Sequence, residues 1–350
     1  MRRQFLICVS LIAACGFGGA PSFAGTLLIA NKTDNTVDLY DVKAQKSVAT
    51  LPTGKAPHEA AVSPDGRMAV ISDYGPRGNP GSTLTVIDVQ DAKVVRTISL
   101  GPHRRPHGMV WFAENRLAVT TEDSRHMLVV DPNAGEVLSE VETGQEVSHM
   151  VAVTPNGKRA FVANIRSGSV TVIDLVAGKK LRDIETGRGA EGIAITPDGK
   201  EVWVGNRGAD TLSIIDPESL KIVATLPCRG VPIRVAVTPD GARVLISCAD
   251  TGEVVLFDAK ARKELARRKL DLSTVPDAAN RLFGDRFGDS PVPVGLVIAP
   301  GGERAWIAAT QADVVVVVDT RSLEVKDLIR AGREPDGMAF TPVTVARAED

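Results

Sequence analysis

Residues 151–199 read VAVTPNGKRAFVANIRSGSVTVIDLVAGKKLRDIETGRGAEGIAITPDG. Within this stretch apolar and polar residues alternate in four short runs, VAVT, RAFVAN, SVTVID and KKLRDIET. Period-2 alternation with β-branched enrichment is the pattern of half-buried strands. Pro155-Asn156-Gly157 follows the first run. There Pro presets φ and Gly takes the positive φ that closes a tight turn. The phrase then restarts as IAITPDG at 193–199. One unit is therefore four antiparallel strands, A to D, with a Pro-(Asp/Asn)-Gly turn between A and B.

Working outward, the unit recurs. Apolar runs ending in Asp close at Asp41, Asp88, Asp131, Asp174, Asp216, Asp258 and Asp319, at spacings of 47, 43, 43, 42, 42 and 61. The turn phrase recurs as AAVSPDG (60–66) and VAVTPDG (235–241), and more loosely as VIAPGGE (297–303) and MAFTP (338–342). WFAEN (111–115) takes its place once. Forty-odd residues and four strands per unit is propeller arithmetic, because one unit cannot bury both faces of its sheet. The expectation is an all-β, seven-bladed β-propeller. The first strand is B-type, TLLIAN (26–31), and the last is A-type, DGMAF (336–340). The closing blade should therefore join the C-terminal A strand to the N-terminal B, C and D strands. The long spacing of 61 reflects 19 additional residues, LSTVPDAANRLFGDRFGDS (272–290), expected as an inserted loop around 271–290 capping one end. A shorter insertion, GPRGNPGS, follows Tyr74.

Composition agrees. Hydrophobic residues make up 43% and charged residues 24% of 350, which excludes a disordered chain and a polytopic membrane protein. A net charge of −2 excludes a global basic field for nucleic acid. Residues 1–24, MRRQFLICVSLIAACGFGGAPSFA, read as an export signal with cleavage after Ala24. The expected location is periplasmic or secreted, with residues 25–350 as one domain. Ile12-Ala13-Ala14-Cys15 resembles a lipobox, the alternative being an anchor through Cys15, and Arg2-Arg3 resembles the start of a twin-arginine signal. Cys228 and Cys248 survive cleavage and could form one disulfide in an oxidising compartment, or act as free thiols for a soft metal.

FVANIRSGSVTVID (161–174), VWVGNRGADTLSIID (202–216) and TGRGAEGIAITPDG (186–199) resemble the YVTN-repeat, YncE-like family of bacterial β-propellers. More distantly the repeats resemble lactonase-type seven-bladed propellers. The resemblance spans residues 26–342 and implies the fold. Its implications for function are broad, since the family includes nucleic-acid binders and surface proteins. The family's Asn at the end of B stands at Asn31, Asn164 and Asn206, and is replaced by Asp73, Thr121, Cys248 and Ala309.

In a propeller the D–A and B–C connections share one end, and A strands line the channel. Counting back six residues from each turn Pro gives a column at that end: His58, His107, His149, Glu191, Ile233, Val294 and Asp336. Three of the five histidines of the protein fall in it. Imidazoles and carboxylates suit a divalent transition metal, so His58, His107, His149, Glu191 and Asp336 are candidate ligands; the plainer reading is a wet, polar channel. The same end carries Lys55, Arg77, Arg104, Arg105, Arg166, Arg188, Arg207, Arg229, Arg234 and Arg333. Such a cluster suits an anionic small molecule or an acidic partner protein, with Asn164 and Asn206 as further polar contacts. Nucleic acid is the weaker partner reading because aromatic stacking residues are scarce near the rim. No G-x-S-x-G, H-E-x-x-H or P-loop occurs. The expected role is binding or scaffolding by a monomer at the His/Arg-rich end. The alternative is a metal-dependent or lactonase-like hydrolase using the His58/His107/His149 arc.

Overall fold

The computed structural model describes residues 23–272, 275–277 and 287–346. The expected export segment up to residue 22, including Cys15, and positions 273–274 and 278–286 of the inserted loop lie outside the described residues. Seven four-stranded antiparallel sheets form a ring. Blade I contains β1 (Thr26–Asn31), β2 (Thr36–Asp41) and β3 (Lys46–Pro52). Blade II is β4 (Pro57–Val62), β5 (Met68–Asp73), β6 (Thr83–Asp88) and β7 (Lys93–Ser99). Blade III is β8 (Pro106–Ala113), β9 (Arg116–Thr121), β10 (His126–Asp131) and β11 (Glu136–Glu142). Blade IV is β12 (Ser148–Val153), β13 (Arg159–Asn164), β14 (Ser169–Asp174) and β15 (Lys179–Glu185). Blade V is β16 (Ala190–Ile195), β17 (Val202–Asn206), β18 (Thr211–Asp216) and β19 (Lys221–Pro227). Blade VI is β20 (Pro232–Val237), β21 (Arg243–Cys248), β22 (Glu253–Asp258) and β23 (Lys263–Lys269). Blade VII is β24 (Pro293–Ile298), β25 (Arg304–Ala309), β26 (Val314–Asp319) and β27 (Val325–Arg330), and β28 (Pro335–Thr341) returns to complete blade I.

The closure follows the expectation. β28 pairs antiparallel with β1, Leu27 opposite Phe340 and Leu28 opposite Ala339. Inner strands contact one another around the ring, from β4 through β28 and back. Cores lie between blades, where alternate residues of facing sheets interdigitate. Between blades V and VI, Trp203, Leu212 and Ile214 pack on Val244, Ile246 and Phe257. Each fully buried side chain of this kind contributes about 1.5–3 kcal/mol. Of the outer strands, β19 alternates exposed and partly buried positions and β11 is exposed throughout except at Val141, as expected of a ring's rim.

The A–B turns close by a repeated local device. Thr196 Oγ1 donates to Asp198 Oδ1 at 2.7 Å and accepts from the Glu201 N–H at 3.0 Å. Thr238 with Asp240, Thr154 with Asn156 and Ser63 with Asp65 do the same. Gly199, at φ +71°, supplies the left-handed residue.

The opposite end has its own repeat, one that no residue type reveals. The residue before each inner strand is left-handed: Ala56, Arg105, Val147, Gly189, Val231, Val292 and Glu334 all have φ between 47° and 82°. Three are valines, for which this conformation is strained. In six blades the carbonyl of that residue accepts the N–H of the first residue after the B strand, as in Glu122 to Arg105 and Arg207 to Gly189. The bond fixes the D–A loop against the B–C loop and aims the next side chain at the channel.

Candidate functional site

Blade II is the exception to that bond. Gly75 N–H goes to Lys55 O, and the Tyr74 carbonyl accepts from Gly81 instead. The insertion after Tyr74 thus releases the Ala56 carbonyl, which accepts His58 Nδ1–H at 2.9 Å. That bond sets the tautomer and leaves Nε2 as the basic nitrogen. Tyr74 swings across the mouth, stacked on His58 at 4.0 Å between ring centroids, with the Arg105 guanidinium 4.6 Å over its ring.

The column counted from the turn prolines is real as a ring of positions, and the structure splits it. Ile233 and Val294 join Val231, Ala249, Val292 and Phe287 of the inserted loop in an apolar patch. The polar members form two groups. Asp336 faces Lys32 at 3.8 Å and His58 Nε2 at 4.0 Å. His107 and His149 lie face to face with ring centroids 3.7 Å apart, and His149 Nδ1 hydrogen-bonds Glu122 Oε1 at 2.5 Å. Glu191 stands 3.4 Å behind His149 Nε2 and takes Arg207 at 2.8 Å. The five residues named from sequence therefore do not converge on one point. The group whose ligand atoms come within 4.8 Å of one another is His107, Glu122 and His149.

One position further along the inner strands, glycine dominates: Gly108, Gly192, Gly295 and Gly337. A Cβ at Gly295 would lie 2.0 Å from the Asp336 carbonyl oxygen and one at Gly337 2.2 Å from that of His58, so neighbouring strands need glycine here. Glu59 and Arg234 carry side chains at this level and meet in a buried ion pair although 175 residues apart. Arg234 also lies 4.0 Å from Asp336. This pair joins blade II to blade VI; the sequence marks Arg234 only as one of the cations at this end.

The electrostatics follow from burial and pairing. Burial pushes Glu59 up to about 7, against the pull of Arg234. Burial lowers His58 to about 4 and holds His107 well below its usual value, where the neighbouring His149, His58 and Arg234 charges add. Burial opposes the charge on His149 too, but the bonds to Glu122 and Glu191 overcome it and carry the ring up to about 9. At neutral pH His149 is thus an imidazolium clamped between two carboxylates, beside a neutral His107.

Glu122, Tyr74 and Lys32 were missed as site residues. All three occupy the position after the B strand, which reads Lys32, Tyr74, Glu122, Ile165, Arg207, Ala249 and Thr310 around the ring. No residue type marks it; only register does.

The rim cations divide. Most are satisfied within the protein. Arg104 donates to the Gly101 carbonyl at 2.6 Å, Arg188 to Gly208 O at 2.7 Å, and Arg333 pairs with Asp34 at 2.6 Å. Arg229 faces Glu253 at 3.5 Å, and Arg234 is buried. Asn164 and Asn206, expected on the rim, are fully buried and donate to their own C strands, Asn206 to Ser213 Oγ at 2.9 Å. They organise blades rather than a ligand. The disulfide expected between Cys228 and Cys248 is not formed in this structure: the two thiols are free, with sulfurs 4.0 Å apart. A second group of cations gathers around a cleft of about 660 Å³ over blades I and II. Lys32, Lys55, Arg77 and Arg105 line it with His58, Tyr74 and Glu334. Lys55 and Arg77 are exposed, and neither forms an ion pair among the described residues.

Comparison with known proteins places the fold. The Cytochrome D1 heme domain family matches residues 111–280. Kuenenia stuttgartiensis hydrazine synthase aligns with a TM-score of 0.72 at 18% identity, over 90% of this chain and 100% of that one. A functionally unknown protein from Desulfotomaculum acetoxidans aligns at 0.74 and 14% identity, over 90% of this chain and 98% of that one. The likeness is that of a β-propeller. No curated protein matches the chain.

The haem-domain match invites a test of fit. Residues 111–280 contain two histidines, His126 and His149. His126, the half-buried first residue of β10, has its Nδ1 engaged by the Ser124 carbonyl at 2.5 Å. His149 is covered on one face by His107 at 3.7 Å and flanked by Glu122 and Glu191. Among the described residues a flat apolar macrocycle has no slot beside His149, so that ring does not fit a haem.

Among the described residues no helix is long and apolar enough to cross a membrane.

Proposed function

We propose that this chain is an exported, YVTN-type binding propeller that takes a small organic anion at its channel mouth. The observation that carries this reading is the cleft over blades I and II. Four cations line it against one carboxylate, and two of those cations lack an internal partner. Guanidinium and ammonium groups around a concave site suit a carboxylate- or phosphate-bearing ligand. The Tyr74 ring, pinned between His58 and Arg105, gives the cleft a rigid floor. Cleavage after Ala24 would deliver this face to the periplasm or the outside, where small anions are captured.

The test is a titration of the mature protein with di- and tricarboxylates, organic phosphates and haem, followed by heat and thermal shift. The expected result is saturable binding of a carboxylate or organic phosphate that weakens with salt. Lys55→Glu/Arg77→Glu should reduce it at least about tenfold, the loss of one or two charge-assisted contacts. Haem should not bind stoichiometrically. Absence of saturable anion binding, or unchanged affinity in the charge-reversed protein, defeats the reading.

A further inference from the structure

We propose that His107, Glu122 and His149 form a divalent transition-metal site, distinct from the anion cleft and lying beneath its floor. Three inner elements supply it: β8 gives His107, β12 gives His149, and the residue after β9 gives Glu122. All three are buried, with 3%, 7% and 7% of their surfaces exposed. Their ligand atoms lie within 4.8 Å of one another, while the outer nitrogens, His107 Nδ1 and His149 Nε2, face only the carboxylates of Glu59 and Glu191.

The surroundings are those of a coordination site. Metal-bound imidazoles are oriented by carboxylates behind the nitrogen that does not bind the ion. Here Glu59 Oε1 lies 3.8 Å from His107 Nδ1 and Glu191 Oε1 lies 3.4 Å from His149 Nε2. Tyr74 Oη donates to Glu122 Oε2 at 2.5 Å, which turns Oε1 toward the imidazoles. Two nitrogens and one carboxylate oxygen are a donor set for zinc and its neighbours, with a fourth position left open.

His149 Nδ1–H donates a hydrogen bond to Glu122 Oε1 at 2.5 Å. A tetrahedral ion with bonds of about 2.0–2.1 Å would hold these atoms roughly 3.3 Å apart. Entry of the ion therefore displaces that proton to solvent and opens the gap by less than about 1 Å, with a small rotation of the two stacked rings. One divalent cation enters and one proton leaves, so the site gains one positive charge, which the buried carboxylates of Glu122 and Glu191 face.

The experiment uses the mature full-length protein, stripped with chelator and titrated with Zn²⁺, Ni²⁺ and Cu²⁺ at neutral pH in two buffers of different ionisation heat. One ion per chain is expected, with about one proton released per ion. His107→Ala and the near-isosteric Glu122→Gln should weaken binding at least tenfold, and Glu191→Gln about tenfold through the outer shell. His58→Gln should change it little, because His58 belongs to the Asp336 group. Circular dichroism and melting of each variant establish that the blades remain folded. Failure of all three ions to bind stoichiometrically to the folded wild type overturns the proposal, as does binding that survives His107→Ala and Glu122→Gln unchanged. Loss in His58→Gln equal to that in His107→Ala also overturns it, since it would place the ion elsewhere in the arc.

Discussion

The two ends of this propeller use acidic residues in opposite ways. At the turn end the repeated turn acids serve their own loops. Asp198 accepts from Thr196 two residues away and from the Lys200 N–H, and Asp319 caps the turn that follows it. These groups, Asp198 exposed and Asp319 half-buried, repeat from blade to blade and sit below the ordinary carboxylate range because local donors outweigh any burial and hold the charge. At the channel end these carboxylates are buried and find partners in other blades: Glu59 in Arg234, Glu122 in His149 and Tyr74, Asp336 in His58. Local satisfaction builds a ring. Satisfaction across blades builds a site, because it concentrates buried charge where no single unit needs it.

The strand that touches both ends should matter most. β28 brings Asp336 to the channel and places Thr341 Oγ1 on the Gly66 carbonyl at 2.7 Å near the turn end. Deleting residues 333–342 removes the inner strand of blade I and its contacts with β4 and β24. The expected outcome is loss of cooperative unfolding, since the whole stability of a domain is only about 5–15 kcal/mol. A soluble truncated protein with unchanged melting temperature would show that the ring does not depend on this closure.

Arg234→Met sharpens the contrast within the channel. It strands Glu59 and Asp336 in a buried site with one cation removed. Breaking a buried pair costs about 3–5 kcal/mol, and that loss should appear in urea denaturation. The paired change Arg234→Met/Glu59→Gln should recover part of it. If the single change costs under 1 kcal/mol, the pair behaves like an exposed one and the account of this end is wrong.

Asp73 lies between the two regimes. It replaces the Asn that ends the B strand in blades I, IV and V, and it is almost wholly buried. It accepts from Gly54 N–H at 2.9 Å and Thr83 at 2.8 Å, as well as from Thr85. Burial nevertheless pushes it up to about 6, from an ordinary 3.8. A carboxyl whose folded value is raised contributes stability below the unfolded value and loses it as pH rises through the folded one. The difference between Asp73→Asn and wild type should thus be near zero below pH 3.8 and reach about 3 kcal/mol in favour of the Asn protein above pH 6. Denaturation curves of both proteins at pH 3.5, 5 and 7.5 read this directly. A constant difference across the range would mean that Asp73 is not the titrating group.

What could be read from sequence follows the same divide. The blades were legible because Thr196-Pro197-Asp198-Gly199 and its copies state their own turn, and because alternation in SVTVID states its own faces. The ring of channel positions was legible because the turn prolines give a fixed count back to His58, His107 and His149. The partners of those residues were not. Glu122 and Tyr74 share a position with Ile165 and Ala249, so nothing in residue type singles them out. Glu59 and Arg234 meet across 175 residues of chain. The freed Ala56 carbonyl that orients His58 depends on a missing backbone bond, which only the folded insertion after Tyr74 produces.

The smallest expected effect tests the turn end. Asp198→Ala removes the acceptor for Thr196 Oγ1 and the Lys200 N–H, at 2.7 and 3.1 Å. The Lys200 N–H is exposed, so water can replace its partner, and the buried Thr196 hydroxyl keeps the Glu201 carbonyl as an acceptor at 3.4 Å. The cost should be about 1 kcal/mol or less, and it should shrink as salt rises. Gly199 keeps its left-handed conformation, and the Gly199 N–H still bonds the Thr196 carbonyl at 2.8 Å, so the turn itself survives. A loss as large as that of Arg234→Met would mean that the turn acids carry the fold in the same way as the buried channel charges. The contrast between an end that builds and an end that binds would then have no energetic basis.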